Sequence, residues 1–346
     1  MKSAWLRRLL PTFHFLVLLP GFAFAAHTDV IIFDNGDKLT GEVKTLQRGK
    51  LNFKTEATGT ISIEWENVAF LSSNQNLQVE TSDGEIYLGA LQESDNAREL
   101  IVLTDSGPVA LDDDRVVDIN PVDQKDWRDW DVDVSAGYNF TSASNVTQGN
   151  LGIDAKRRTT VRVLSLSYSA IVSDSSDNEP SESQDLTLSW TKLRQNHWTN
   201  TGTLAFSQNT QLGLNLRSSI GWGIGKILVD TNHSGFAMGA GLKVSEEDNI
   251  DVAEDTTSLE AYGKLEWDWF HYDSPEWDLS TEFELIPSLT EQGRVRYEFD
   301  TTVKWEIFKD FYWSIELYDN FDNQSKSEGA ANHDYGVITS ISYDLK

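Results

Sequence analysis

Charged side chains that could transfer protons or bind ions recur at every second position in the C-terminal half of the chain. Glu282 and Glu284 share one face of a predicted strand, and Arg296, Glu298 and Asp300 share a face of the next. Paired carboxylates are the groups that general acid–base catalysis uses. Cations lie between these carboxylates, however, and a neighbouring cation keeps a carboxylate ionised. We therefore favour a structural network of paired charges. Its predicted members are Arg217, Lys264, Glu266, Glu282, Glu284, Arg296, Glu298, Asp300 and Lys304.

The histidines are the other candidate catalytic residues. A hydrolase needs a His that is bonded to a Ser and oriented by an Asp. The strand pattern places His197, His233 and His271 next to short turns, and His333, beside Asp334, on a long loop at the other end. A His–Ser–Asp set cannot then form at one end, so we predict no catalytic residue. An enzyme that acts on lipid or peptide through His333 remains an alternative.

Acidic residues outnumber basic ones by 55 to 28, which gives a net charge of −27. Phosphate backbones require a basic surface, so nucleic acid is excluded as a partner. The acidic stretch 246–255 could attract Ca²⁺ or Mg²⁺, but it lacks the ligand order and the central Gly of an EF-hand loop. Because the chain has no Cys, thiolate metal sites are excluded. We predict no metal site and no cofactor.

Strands of alternating apolar and polar residues must position these charged groups. The clearest strand spans 164–173, where Leu164, Leu166 and Tyr168 lie on one face and Ser165 and Ser167 on the other. Successive side chains of a strand point to opposite faces. About twelve such segments follow one another from residue 130 onward. Each would have one apolar and one charged face, a pattern that a soluble sandwich also shows.

Loop lengths and tryptophans favour a transmembrane barrel over a sandwich. Short turns, such as 157–160 and 273–276, alternate with acidic loops predicted over 173–183, 245–255 and 320–334. Outer-membrane barrels have short periplasmic turns and longer extracellular loops. Many tryptophans lie near strand ends, where aromatic girdles meet the membrane interface. We predict an all-β chain with an up-and-down antiparallel transmembrane β-barrel over 130–346. It would be a monomer in contact with outer-membrane lipid and lipopolysaccharide.

The first residues have the pattern of a secretory signal peptide. Lys2, Arg7 and Arg8 precede an apolar run that ends in Ala23-Phe24-Ala25. A basic start, an apolar stretch and an A-x-A site direct export and cleavage. We therefore assign 1–25 to a signal peptide.

Residues 28–122 contain an internal duplication. Gly36 and Gly41 recur as Gly84 and Gly89, so the repeats span about 28–72 and 76–120. Asn-Gly and Asp-Gly pairs between alternating segments signal tight hairpins. The pattern resembles Sm-like small barrels, although the acidic excess removes the electrostatics of RNA binding. We predict a periplasmic β domain that is structural or binds a protein partner, followed by a linker over 123–129.

Taken together, these features resemble the family of salt-induced outer-membrane proteins of Gram-negative bacteria, a group of uncharacterised β-barrels. The resemblance rests on the signal peptide, the D-N-G-D-x-L-x-G segment at 34–41 and a final strand that closes on Tyr343-Asp344-Leu345-Lys346. It implies a barrel in the outer membrane, and the histidines at opposite ends favour a non-enzymatic one. We expect a narrow, weakly cation-preferring pore or an envelope-stress or structural protein. A scaffold whose periplasmic domain binds a partner is a further alternative.

Overall fold

The chain folds almost entirely into β-strands. The structure is a computed structural model and describes residues 29–122, 130–141, 146–159, 161–175, 178–250, 252, 254–272, 276–308, 311–325 and 331–345. The predicted signal peptide and linker lie outside the described residues. Apart from three single 3₁₀ turns, every regular element in the described part is a strand, which confirms the all-β prediction. Among the described residues, no helix has the length and apolar character to cross a bilayer.

Nine strands form an N-terminal sheet. They are β1 (Asp29–Phe33), β2 (Lys38–Gln47), β3 (Lys50–Thr55), β4 (Gly59–Glu64), β5 (Val68–Thr81), β6 (Ile86–Gln92), β7 (Glu99–Thr104), β8 (Gly107–Asp112) and β9 (Val116–Pro121). Their order is β4-β3-β2-β1-β5-β6-β7-β8, and β9 pairs with both β2 and β5. Because β9 joins the two halves, the sheet curls around one apolar core. Its fully buried side chains include Ile31, Leu46, Phe53, Leu77 and Ile119.

The two halves of this sheet repeat the same backbone geometry. The N–H of Phe33 donates to the carbonyl of Asp37 at 2.9 Å. In the second half, the N–H of Thr81 donates to the carbonyl of Glu85 at 3.0 Å. The tight hairpin that the Asn-Gly and Asp-Gly pairs encode is therefore built twice. The resemblance to Sm-like barrels stays a prediction.

Gly41 in β2 and Gly89 in β6 mark close approaches between neighbouring strands. A Cβ on Gly41 would lie 2.3 Å from the carbonyl oxygen of Lys54. A Cβ on Gly89 would lie 2.1 Å from the carbonyl oxygen of Leu103. No real side chain tolerates such distances, so glycine is what lets these strands cross so closely.

Twelve strands form a closed antiparallel barrel, as predicted. They are β10 (Asp131–Thr141), β11 (Val146–Thr159), β12 (Arg162–Ser175), β13 (Asn178–Leu193), β14 (Trp198–Asn209), β15 (Leu214–Asp230), β16 (Ser234–Asn249), β17 (Thr256–His271), β18 (Trp277–Pro287), β19 (Val295–Phe308), β20 (Phe311–Asp322) and β21 (His333–Leu345). Each strand pairs with the next, and β10 pairs with β21, where Val134 lies opposite Tyr343. The barrel is therefore of the up-and-down type.

The outer wall of the barrel is apolar and its lumen is charged. Ile220, Trp222 and Ile341 are more than half exposed on the outside. In contrast, Glu247 and Glu260 are fully buried inside. Soluble monomers rarely expose continuous apolar patches beyond a few hundred Å². An apolar outside and a charged inside are the reverse of the arrangement in a soluble protein. They fit a barrel wall that faces lipid.

The two ends of the barrel differ less than the sequence predicted. The end that we call the turn rim has connections at 160–161, 194–197, 231–233, 272–276 and 309–310. The opposite end, the loop rim, has connections at 142–145, 176–177, 210–213, 250–255, 288–294 and 323–332. The loop rim therefore has the longest connection, as expected, but not all its connections are long.

The predicted bounds of the loops at 173–183 and 245–255 are wrong. β12 continues to Ser175 and β13 begins at Asn178, while β16 continues to Asn249 and β17 begins at Thr256. These strand ends carry few apolar residues, so the alternation that identifies a lipid-facing strand is lost while the ladder of backbone hydrogen bonds continues. Polarity was thus mistaken for loop structure.

Candidate functional site: the charged lumen and its turn rim

A cluster of buried ion pairs fills the lumen near the loop rim. Arg217 and Glu247 lie opposite each other in the pairing of β15 with β16, and Nε of Arg217 is 2.8 Å from Oε1 of Glu247. Nη1 of Arg294 is 2.8 Å from the other carboxylate oxygen of Glu247. Arg294 also binds Asp322. Each buried charge has a partner, which is the condition for keeping charges inside a protein.

A second buried pair adjoins this cluster. Nη2 of Arg296 donates to both carboxylate oxygens of Glu260 at 2.8 Å. The hydroxyl of Ser245 donates to Glu260 at 2.8 Å, and Glu298 lies 3.6 Å from Nη1 of Arg296. Two-point contacts between guanidinium and carboxylate are strong and directional. We therefore expect this part of the lumen to be rigid and narrow.

Lysine pairs continue the network towards the middle of the lumen. Nζ of Lys264 is 2.7 Å from Glu266 and 2.8 Å from Glu282. Nζ of Lys243 is 2.6 Å from Glu284. These residues lie on adjacent strands β16 to β18, so one side of the wall is held by alternating charges.

Three carboxylates of the lumen lack cationic partners. Asp300 on β19, Glu316 on β20 and Asp154 on β11 form no ion pair with any Lys, Arg or His in the described part of the chain. We call these three residues the acidic stripe. Asp154, Ser167 and Ser169 face the lumen and are nevertheless exposed. The part of the lumen that β11 and β12 line is therefore open to water.

Each residue of the predicted network is placed on the lumen face, and each except Asp300 belongs to an ion pair within the described residues. Lys304, for example, pairs with Asp133 on β10. The sequence prediction missed Glu247, Arg294 and Asp322. Glu247 could have been found, because it continues the inward parity of Lys243 on β16. The acidic loop assigned there hid it.

His333 is positioned apart from this network. It opens β21, and its Nδ1 lies 3.3 Å from Oδ1 of Asp319. Its ring packs 4.5 Å from that of Phe321. Asp334 points elsewhere and accepts a hydrogen bond from Asn209 at 2.6 Å. No serine hydroxyl of the described residues is bonded to His333, so a His–carboxylate pair is present without a nucleophile.

The N-terminal sheet rests on the turn rim of the barrel. Arg48, in the turn between β2 and β3, places Nη2 2.6 Å from Oδ2 of Asp278, and its guanidinium lies 4.3 Å from the ring centre of Phe270. Burial acts to lower the pKa of Arg48, but the acidic groups around it raise that pKa above its ordinary value. The guanidinium therefore stays charged.

Lys50 strengthens this first contact. Its Nζ is 2.8 Å from Oε2 of Glu276 and 4.0 Å from the ring centre of Tyr272. Cation–π contacts of this kind stabilise most where water is excluded. Arg48 and Lys50 together form what we call the β18 anchor.

A second contact, the β11 anchor, lies across the rim. Nε of Arg158 is 2.8 Å from Oδ2 of Asp118, and its Nη2 is 3.6 Å from Glu80. Nε2 of His197 lies 3.6 Å from the other oxygen of Glu80. Burial raises the pKa of Asp118 to about 7, although Arg158 acts to lower it. Between the anchors, the side-chain amide of Asn232 donates to the carbonyl of Val116 at 3.0 Å.

Comparison with known proteins identifies the barrel. A family model described as "Protein of unknown function, DUF481" matches residues 134–345, which is more than half of the chain. The chain belongs to this family. The match lies within the DUF481 barrel and does not include the N-terminal sheet. No curated protein matches the chain. The association with salt induction stays a prediction.

Several solved structures are similar to the DUF481 chain at low identity. A NanC porin structure is 10% identical, with a TM-score of 0.41, and the alignment covers 62% of this chain and 100% of the porin. KdgM porin in complex with disordered oligogalacturonate is 7% identical, with a TM-score of 0.35 and coverage of 62% and 99%. The β domain of the Bordetella autotransporter BrkA is 9% identical, with a TM-score of 0.31 and coverage of 62% and 97%.

Proposed function

We propose that this protein is a non-enzymatic outer-membrane barrel that forms a narrow, weakly cation-preferring pore. The observation that carries the proposal is the acidic stripe of Asp154, Asp300 and Glu316, of which Asp154 is exposed in the lumen and the other two are half-buried. The apolar outer wall supports insertion in a bilayer, and the signal-peptide pattern supports export. On this proposal the barrel is a monomer in contact with outer-membrane lipid, and the N-terminal sheet lies in the periplasm.

Size and charge together favour a narrow pore. Barrels of about eight strands are filled by side chains, whereas those of 16 to 18 strands leave wide channels. With twelve strands, the contents of the lumen determine the passage. The buried pairs of Arg217, Arg294 and Arg296 narrow the lumen near the loop rim. Uncompensated carboxylates along a passage attract cations and repel anions.

The cation preference can be measured in planar bilayers. With full-length protein in a KCl gradient, we expect a reversal potential of the sign that cation flow gives. The double variant Asp300→Asn/Glu316→Gln should move the reversal potential towards zero, because it removes two ionisable carboxyl groups from the stripe. Glu56→Gln, on an exposed turn of the N-terminal sheet, is the matched control and should leave it unchanged. A preference for anions, or a reversal potential that the double variant leaves unchanged, would contradict the proposal.

A further inference from the structure

We propose that the N-terminal sheet is a lid that closes the lumen at the turn rim. The inference rests on the proposed pore function and adds its regulation. The lid consists of β1 to β9, and the β18 and β11 anchors hold it in place.

The two anchors lie on nearly opposite sides of the barrel. Asp278 belongs to β18 and Arg158 to β11, which are seven steps apart one way round the twelve-stranded ring and five steps the other way. Asn232, between β15 and β16, supplies a contact between them. A sheet fixed at both points must pass across the mouth of the barrel. Contacts confined to neighbouring strands would instead have placed the sheet beside the barrel.

Each anchor includes a barrel residue of the lumen face. Arg158 follows Asp154 and Lys156 at two-residue spacing on the inner face of β11. Asp278 has the parity of Glu282 and Glu284 on β18. The lid therefore reaches over the opening. Arg48 lies in the tight turn between β2 and β3, at φ 52° and next to Gly49. At this end of the hairpin its side chain can contact the barrel.

The chemistry of the anchors suits a reversible contact. The core of the lid is formed by its own residues between Ile31 and Ile119, so the lid shares no part of that core with the barrel. The anchors consist of ion pairs, cation–π contacts and a side-chain hydrogen bond. Polar interfaces between domains resemble transient protein interfaces, and the partly exposed ion pairs of the β18 anchor each stabilise by little. Opening therefore leaves both folds intact.

A reversible cross-link provides the direct test. The natural chain has no Cys, so Lys50→Cys/Glu276→Cys introduces a unique pair across the β18 anchor. In full-length protein, a short bifunctional thiol reagent with a reducible bridge should lower the mean current in planar bilayers, and reduction should restore it. Each single Cys variant, treated with the same reagent, is the matched control and should show no such fall.

Charge exchange tests the same contact without chemical modification. Lys50→Glu places two carboxylates together at the anchor, and we expect the mean current to rise about fivefold, the factor that roughly 1 kcal/mol gives. Lys50→Glu combined with Glu276→Lys should bring the current back towards that of the wild type. A current that neither the cross-link nor Lys50→Glu changes would overturn the lid alone. Absence of current in every variant would overturn the pore and the lid together.

Discussion

Asp118 shows how one carboxyl can couple the two parts of the molecule to pH. It is almost completely buried where the lid meets the barrel, facing Arg158. Glu80 from the lid and Asp230 and Lys156 from the barrel also act on it electrostatically, and His197 lies beside Glu80. One guanidinium thus faces several carboxyl groups. Burial outweighs the attraction of Arg158, so the docked lid favours the protonated form of Asp118.

This imbalance predicts a lid that docks more tightly as the pH falls. Undocking exposes Asp118 to water and returns its pKa to about 3.9, whereas the docked value is about 7. The docked state therefore binds a proton more tightly, and the stability that this proton contributes is lost as the pH rises through 7. Because thiolate reactivity itself rises with pH, the yield at each pH is normalised to the reaction of the two single Cys variants with the same reagent. The normalised cross-linking yield of Lys50→Cys/Glu276→Cys should be higher at pH 5.5 than at pH 8.

Asp118→Asn is the control for the effect of pH. The amide cannot titrate, so most of the difference in normalised cross-linking yield between the two pH values should disappear in this variant. A normalised yield that rises with pH in the protein that retains Asp118 would contradict the assignment to Asp118.

At the scale of elements, the sequence predicted the strands well and their ends poorly. Alternation identified the twelve barrel strands because lipid requires one apolar face along the membrane. Beyond the membrane the outer face no longer needs apolar residues, so 173–183 and 245–255 resembled loops. The same limit concealed Glu247 and Arg294, whose partners come from separate strands. The docking of the lid depends on side chains more than 200 positions apart, such as Arg48 and Asp278, and no local pattern records it.

The strand crossing at Gly89 provides a test of the lid as an independent unit. Gly89→Ala places a Cβ 2.1 Å from the carbonyl oxygen of Leu103, so the strands must separate. We expect the lid to lose about 1–3 kcal/mol of stability, the range for overpacked sites. Hydrogen exchange in the full chain should show faster exchange over 29–121, while the barrel strands stay protected.

Gly149→Ala is the matched substitution for this experiment. Gly149 lies in β11, and a Cβ there would meet no atom within 4 Å. This variant should exchange like the wild type throughout. Equal exchange in Gly89→Ala and Gly149→Ala would show that the close approach of β6 and β7 is not required.

The whole molecule combines a hydrogen-bonded ring with a self-contained sheet. All neighbouring barrel strands pair without an open edge, and barrels of this kind leave no unpaired strand exposed to lipid. The ring should consequently resist detergent at room temperature. Its family match covers the barrel strands alone, which fits a molecule in which ring and lid are separate structural units.

Resistance to detergent predicts a shift in gel migration. Protein from an outer-membrane fraction should migrate faster unheated in dodecyl sulfate than after boiling, because the closed barrel stays compact until heat unfolds it. Recovery of the protein in the soluble periplasmic fraction, with identical migration before and after boiling, would contradict a membrane barrel.

The pairing of β10 with β21 also affects the order in which the parts of the chain fold. Ala136 pairs with Ile341, so the first barrel strand cannot complete its pairing until the last barrel strand is present. Contacts so distant along the chain form slowly. The sheet of residues 29–121 has all of its own strands before β10 is even reached. The N-terminal sheet can therefore fold before the ring closes, so the mouth can be covered from the moment that β10 and β21 pair.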